Sequence, residues 1–195
     1  MSVRIGSKFS ATAMFARYRT VCHCENKDDE FIMFTRIGRG TKRFLINNVL
    51  WGLMDTDSAF DVGDVITDDN GTMYFLVAKT NSMQGDKGEF YKTNCTIDIV
   101  DIKKNYNEYG EQLDNSEITR YKDYPVVYED VSAHMHLFDY GLLPTTTRRF
   151  IVPSCTVVNV GDRIILNGEN SRVDSINKSD FQPFLYLQCS KDNRV

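Results

Sequence analysis

Apolar positions along this chain fall into short runs closed by turn residues, a pattern of strands rather than helices. Phe31-Ile32-Met33-Phe34 is one such run, followed by the turn signal Gly38-Arg39-Gly40. Arg43-Phe44-Leu45-Ile46 reads as the next strand, and Val62-Gly63-Asp64-Val65-Ile66 as a turn feeding another. At Asp69-Asn70-Gly71 the Asn-Gly pair tolerates the positive φ of a tight hairpin turn, which makes Met73-Tyr74-Phe75-Leu76-Val77 the return strand. Lys79 to Gly88 is polar and glycine-containing and reads as a loop. Tyr91 to Ile102 alternates in part and ends in the strand Thr96-Ile97-Asp98-Ile99-Val100. One short helix is suggested, from Phe9 to Arg19, on the imperfect spacing of Phe9, Met14, Phe15 and Tyr18.

Residues 103–123 form the most polar stretch and read as a connection, with a short solvated hairpin around Tyr109-Gly110. Beyond it the same order of signals returns. Thr41-Lys42-Arg43-Phe44-Leu45-Ile46 matches Thr147-Arg148-Arg149-Phe150-Ile151-Val152, and Asp61 to Ile66 matches Asn159 to Ile164. Asn70-Gly71 matches Asn167-Gly168, Leu76 to Lys79 matches Arg172 to Ser175, and Phe90 to Cys95 matches Phe184 to Cys189. The offset drifts smoothly downward, as small loop deletions would make it do, with the largest deletion near Trp51 to Ser58. Matches recurring in the same order favour duplication over the chance recurrence of a common strand opener.

The expected fold is therefore all-β: two related small barrel-like units in tandem after a short helical or irregular N-terminal segment. Barrel closure is the usual way for so small a sheet to remove its exposed edges. The expected boundaries are 1–29 for the N-terminal segment, 30–103 for the first unit, 104–133 for the connection and 134–195 for the second unit.

Composition sharpens this picture. Tyr (10), Phe (12) and β-branched residues favour strands. The net charge of −4, from 23 basic and 27 acidic side chains, argues against a protein that clamps nucleic acid through its phosphates. No run of about 18 apolar residues suggests a membrane span, and the start Met1 to Lys8 lacks the apolar core of a signal peptide. The expected place of synthesis is a cytoplasm, and five cysteines, an odd number, suit reduced thiols.

Candidate chemistry is sparse. Cys22-His23-Cys24 is the densest cluster of metal-ligand types, but no paired knuckle completes a tetrahedral set, so ordinary strand or helix residues are the favoured reading. His134 and His136 read as one face of a strand. Nucleophile elbow, phosphate loop and dinucleotide fingerprint are all absent. Asp68-Asp69 reads as a turn and Asp28-Asp29-Glu30 as a solvated run. No catalytic, cofactor or metal residue is expected, and the protein reads as a binding or assembly component rather than an enzyme. Arg36, Arg39, Lys42 and Arg43, echoed by Arg148 and Arg149, are candidate contacts to DNA or to an acidic neighbouring subunit; strand-flanking residues that keep edges soluble are the competing reading.

The Val-Gly-Asp turn, the hairpin Asp68 to Val77 and its second version Val160 to Val173 resemble the pattern of tailed-phage head–tail connector proteins of the head-closure or stopper group. The resemblance covers about two thirds of the chain. It implies a virion protein made in the host cytoplasm, a homo-oligomeric ring docking a portal or adaptor protein above and a tail protein below. Such a ring holds packaged double-stranded DNA in its channel non-specifically, without a membrane. An acidic balance suits a channel through which phosphates must slide. The loop holding Lys79, Asn81, Gln84, Asp86 and Lys87 is the candidate channel or gating loop. Alternative expectations are a tail-terminator, tail-completion or baseplate protein, a single-strand nucleic-acid-binding barrel with exposed aromatics, and an unrecognised hydrolase.

Overall fold

The computed structural model describes residues 19–36, 48–82, 85–103, 108–109, 116–138, 141–178 and 183–194. The chain forms two compact units, Met1–Thr93 and Asn94–Val195. Each is a closed six-stranded antiparallel barrel.

The first barrel is built from β1 (Thr20–Cys24), β2 (Glu30–Arg36), β3 (Val49–Leu53), β4 (Val65–Asp68), β5 (Met73–Thr80) and β6 (Lys87–Lys92), in the order β1-β2-β3-β6-β5-β4. The second uses β7 (Cys95–Lys103), β8 (Ser116–Asp130), β9 (Arg148–Pro153), β10 (Arg163–Leu166), β11 (Glu169–Asn177) and β12 (Phe184–Lys191), in the order β7-β8-β9-β12-β11-β10. Substituting each strand for the one six places later turns the first order into the second. The duplicated plan is therefore present in full, edges included: every strand has two neighbours, so neither sheet presents an open edge.

Registers give the residue-by-residue correspondence. Leu50 matches Arg148, Ile66 matches Ile164, Leu76 matches Val173 and Phe90 matches Cys189. A β-bulge falls between Leu76 and Ala78 in β5 and at the matching place, between Val173 and Ser175, in β11. Alternation directs Ile32, Phe34, Ile66, Tyr74, Leu76 and Phe90 into the first core, and Val126, Phe150, Ile164, Val173 and Leu187 into the second.

Several sequence expectations need correction. Thr96 to Val100 opens the second barrel instead of closing the first, and the presumed connection 104–133 contains β8, the longest strand of the fold. Its inward residues are Tyr121, Tyr124, Val126 and Tyr128, whose hydroxyls lower the apparent hydropathy while their rings pack on the core. Bulges around Ile99 further break the period-two pattern. The counterpart of Arg148–Pro153 is Val49–Leu53, not Thr41–Ile46, a segment that lies outside the described residues. Phe90 matches Cys189, so the pairing of Phe90–Cys95 with Phe184–Cys189 was five residues out of step. His134 and His136 lie on a short helix, α1 (Ala133–Phe138), and not on a strand; Ser132 at its start accepts the Met135 amide, 3.4 Å away. The helix expected from Phe9 lies outside the described residues up to Tyr18.

The two β-hairpins at Asn-Gly also differ. In the second barrel Asn167 and Gly168 both have positive φ (51° and 82°) and make a two-residue turn between Leu166 and Glu169. In the first, Asp68 organises a longer turn. Its Oδ1 accepts the Asn70 and Thr72 amides (2.9 and 2.8 Å) and its Oδ2 accepts the Tyr74 hydroxyl (3.1 Å).

Candidate assembly surface

The Val-Gly-Asp signature has the same structural task in both barrels. Gly63 (φ 108°) donates its amide to the Leu76 carbonyl, 2.9 Å, and Leu76 donates back to the Asp64 carbonyl, 3.1 Å. Gly161 (φ 96°) and Val173 repeat the exchange at 2.8 Å, with Val173 donating to Asp162 at 2.9 Å. The Asp side chain then folds over the preceding loop: Asp64 accepts the Asp61 amide (2.7 Å) and Asp162 the Asn159 amide (2.8 Å). A cation closes each corner, Lys27 at 2.6 Å from Asp64 and Arg120 at 2.8 Å from Asp162. Burial pushes the Asp162 carboxyl up, with the Asn159 amide and Arg120 opposing it. The motif that carried the resemblance is thus a corner brace for the loop entering β4 or β10.

What these braced loops present is apolar. Val62 is exposed in the first barrel; in the second, Val157 is 57% and Val160 59% exposed. Arg120 also reaches the Val157 carbonyl and pairs with Asp101, whose strand partner Ile118 is 48% exposed. Exposed apolar side chains thus flank the groups that neutralise Arg120: Val157 and Val160 on the loop it contacts, and Ile118 two residues before it on β8. The same loop walls a cleft of about 520 Å³ lined by Ser154, Thr156, Val158, Lys178 and Phe184.

The residues nominated from sequence are scattered. Lys79 lies in β5, where its Nζ donates to the Ser58 and Phe60 carbonyls at 2.8 Å each and sits 3.4 Å from the buried Asp86 carboxylate. Both side chains turn inward and tie the loop before β4 to the loop before β6. Asn81 and Lys87 are exposed, and Gln84 lies outside the described residues. Arg148 is paired with Glu169 and lies 3.9 Å from Asp130; Arg149 is paired with Glu129 at 2.6 Å. Arg36 ends β2 opposite Leu50, while Arg39, Lys42 and Arg43 lie outside the described residues. The second-barrel arginines are matched to Leu50 and Trp51, so they do not echo the earlier basic cluster.

Cys22 and Cys24 point into the first barrel while His23 points out, because successive strand residues face opposite sides. Burial, with the charges of Asp68 and Asp69, pushes the Cys22 thiol up to about 12. Among the described residues no set of three metal-ligand side chains is grouped to hold an ion.

Sequence reading missed the most elaborate polar network. Arg163 lies on the face of β10 opposite the core residue Ile164 and is buried by its partners, donating through Nε to Asp192 (2.8 Å) and through Nη2 to the Arg194 carbonyl (2.8 Å), and pairing with Glu117. Arg194 also binds Asp192 and donates to the Gly161 carbonyl at 2.8 Å. Burial would raise the Asp192 carboxyl, but hydrogen bonds from Arg194 and Arg163 outweigh it and hold the group well below the carboxylate range. The available signal was an arginine in the strand position that Val65 fills in the first copy.

No protein-family model matches this chain, and no curated protein matches it. Among solved structures, protein SF1141 from Shigella flexneri 2a is similar at 15% identity and a TM-score of 0.42, over 53% of this chain and 96% of that one. K. pneumonia MrkH in its apo state aligns at 9% identity and a TM-score of 0.16, over 100% of this chain and 88% of that one. A second MrkH structure, described as a c-di-GMP-dependent transcription regulatory factor, aligns at 9% identity and 0.14, over 100% and 86%. Alignments this loose carry no argument about function.

Proposed function

We propose that this protein works by assembly and not by turnover, as a structural subunit of a tailed-phage virion in the head–tail connector. In this reading copies form a ring, a portal or adaptor protein and a tail protein dock on its two sides, and packaged double-stranded DNA passes through or is retained in its channel. The carrying observation is the exposed pair Val157 and Val160, held in solvent by the braced loop of the second barrel, with Ile118 exposed on β8 two residues from the Arg120 that contacts that loop. Apolar side chains gathered at one place on a soluble surface mark contact with another macromolecule. Neutralisation of Arg120, Arg148 and Arg149 by carboxylates of the same barrel, with the net charge of −4, supports a surface over which phosphates slide without sticking.

Sedimentation and negative-stain electron microscopy of the purified chain test this reading. Rings are expected from the wild type and single chains from Val157→Asp/Val160→Asp, with unchanged circular dichroism. A wild type that remains a single chain at every concentration overturns it. Salt-dependent capture of single-stranded DNA by such a monomer would establish the nucleic-acid-binding alternative in its place.

A further inference from the structure

We propose that protonation of His23 controls how firmly the first barrel is closed. Strand β1 closes that barrel, and it does so with little ladder: Thr20 to Cys22 pair with β2, and Cys22 to Cys24 pair with β4. His23 sits on the outer face at the middle of this seam. Its Nδ1 lies 2.7 Å from Asp29, at the start of β2, and its Nε2 lies 3.2 Å from Asp69, just beyond β4. One imidazole thus spans all three strands.

The geometry depends on charge state. A neutral imidazole has one N–H donor and one lone pair, whereas both carboxylates are acceptors only. Both contacts are satisfied together when the ring carries two protons. On deprotonation one nitrogen presents its lone pair to a carboxylate, and that side of the seam is released. Hydrogen bonds donated to Asp29 and then to Asp69 raise the His23 pKa above its ordinary 6.5. A raised pKa gives cohesion that is fully present below the ordinary histidine value and is lost as pH rises through the raised one.

The other charged groups near this seam are engaged elsewhere. Glu30 accepts Ser58 Oγ and the Ala59 amide, Asp68 is held by Asn70, Thr72 and Tyr74, and Lys27 is held by Asp64 and Asp61. Asp28 adds acidic charge beside Asp29. The second barrel supplies an internal reference, since register matching sets His23, Asp29 and Asp69 against Asp98, Asp123 and the Asn167 turn. There the Asp123 amide donates to Asp98 Oδ1 at 2.8 Å, a backbone-to-carboxylate bond with no imidazole in it.

The test is imidazole titration by NMR together with amide hydrogen exchange on the full chain from pH 5.5 to 8.5. His23, assigned by its loss in His23→Gln, should titrate above 6.5, and Asp29→Asn and Asp69→Asn should each lower that value. Protection of β1 amides, taken as a ratio to β7 amides to cancel intrinsic pH effects, should fall on the order of threefold through the His23 transition, the size expected of an exposed ion pair. In His23→Gln the ratio should be flat. A His23 pKa at or below 6.5, a flat wild-type ratio, or a step that survives in His23→Gln each overturns the proposal.

Discussion

Gly52 and Gly88 face each other across β3 and β6 of the first barrel, and Phe150 and Leu187 occupy the matching pair in the second. The exchange is compensated two residues along the last strand, where Phe90 matches Cys189. In the first barrel the Phe90 ring lies over the two glycines: a Cβ at Gly88 would sit 2.5 Å from it, and one at Gly52 would collide with it as well. Phe34 packs edge-on to that ring at 5.2 Å, as the matching Tyr128 packs on Phe150 at 5.4 Å. A ring thus occupies the same part of each barrel but is supplied by a different strand. Strand order is shared between the copies, while the strand that supplies the large core side chain is not.

A larger energetic difference separates the barrel ends. Arg163 and Asp192 correspond to Val65 and Thr93, and both Asp192 and Thr93 donate an amide to the start of the strand pairing beside them. The Arg163 side chain is 7% and that of Asp192 1% exposed. Arg163→Ala would leave the buried Asp192 carboxylate with Arg194 as its remaining cation and should cost about 3 kcal/mol in denaturant unfolding, the low end for a broken buried pair and the largest effect expected in the molecule. Arg163→Val/Asp192→Thr, which copies the first barrel, should recover most of that loss, because both buried charges leave together and the partners that remain, Glu117 and Arg194, reach solvent. An additive double variant would show that the two end designs are not interchangeable. The same pair sets an acid limit: because the folded Asp192 pKa is depressed from 3.8, its contribution is present above that value and disappears as pH falls through the lower one. Asp192→Asn should therefore flatten the acid side of the stability profile.

The opposite core choices give the next largest effects. Gly52→Phe in the first barrel, or Cys189→Phe in the second, adds a second ring to a filled space and should destabilise by about 1–3 kcal/mol. The combined change Gly52→Phe/Gly88→Leu/Phe90→Cys transplants the second barrel's set and should be more stable than Gly52→Phe alone. If the triple variant is the worse of the two, the copies fill their cores by unrelated solutions and the ring correspondence has no energetic meaning.

Legibility in the sequence followed the same division. Turn chemistry was readable, because Gly63 and Gly161 need positive φ whatever surrounds them. From those two points the tandem barrels followed. Strand correspondence was misread wherever it relied on matching letters: Arg43-Phe44 resembles Arg149-Phe150, yet Phe150 takes the place of Gly52. Strand β8 was hidden by tyrosines whose rings are core and whose hydroxyls are polar, as with Tyr124, which shares a 2.9 Å hydrogen bond with Thr156. The charged candidates failed for a related reason. Lys79 and Asp86 belong to a polar run and pair with each other, but the carbonyls of Ser58 and Phe60 that hold the Lys79 ammonium come from a loop about twenty residues earlier and are invisible to any local pattern.

The smallest expected effect tests whether the first barrel can improve the second. Asp174 sits at the β11 bulge, where the first copy has Val77 at the β5 bulge. Its Oδ1 lies 3.4 Å from Arg172 Nε, whereas its Oδ2 is buried without a hydrogen-bond partner among the described residues. A buried acceptor left unpaired costs about 1–3 kcal/mol, offset in part by the Arg172 contact. Asp174→Val should therefore raise stability by about 1 kcal/mol, read as a higher denaturant midpoint at unchanged slope. It should also lower the Cys189 thiol pKa, which burial raises most and the Asp174 charge raises further, so thiol alkylation in the unfolding transition supplies an independent readout. The reverse change, Val77→Asp, should destabilise by at least as much, since no matching arginine stands beside it: the counterpart of Arg172 is Phe75. A neutral or destabilising Asp174→Val would mean that the carboxylate is needed where it stands, and that the bulges, though placed alike in both barrels, differ in what they require.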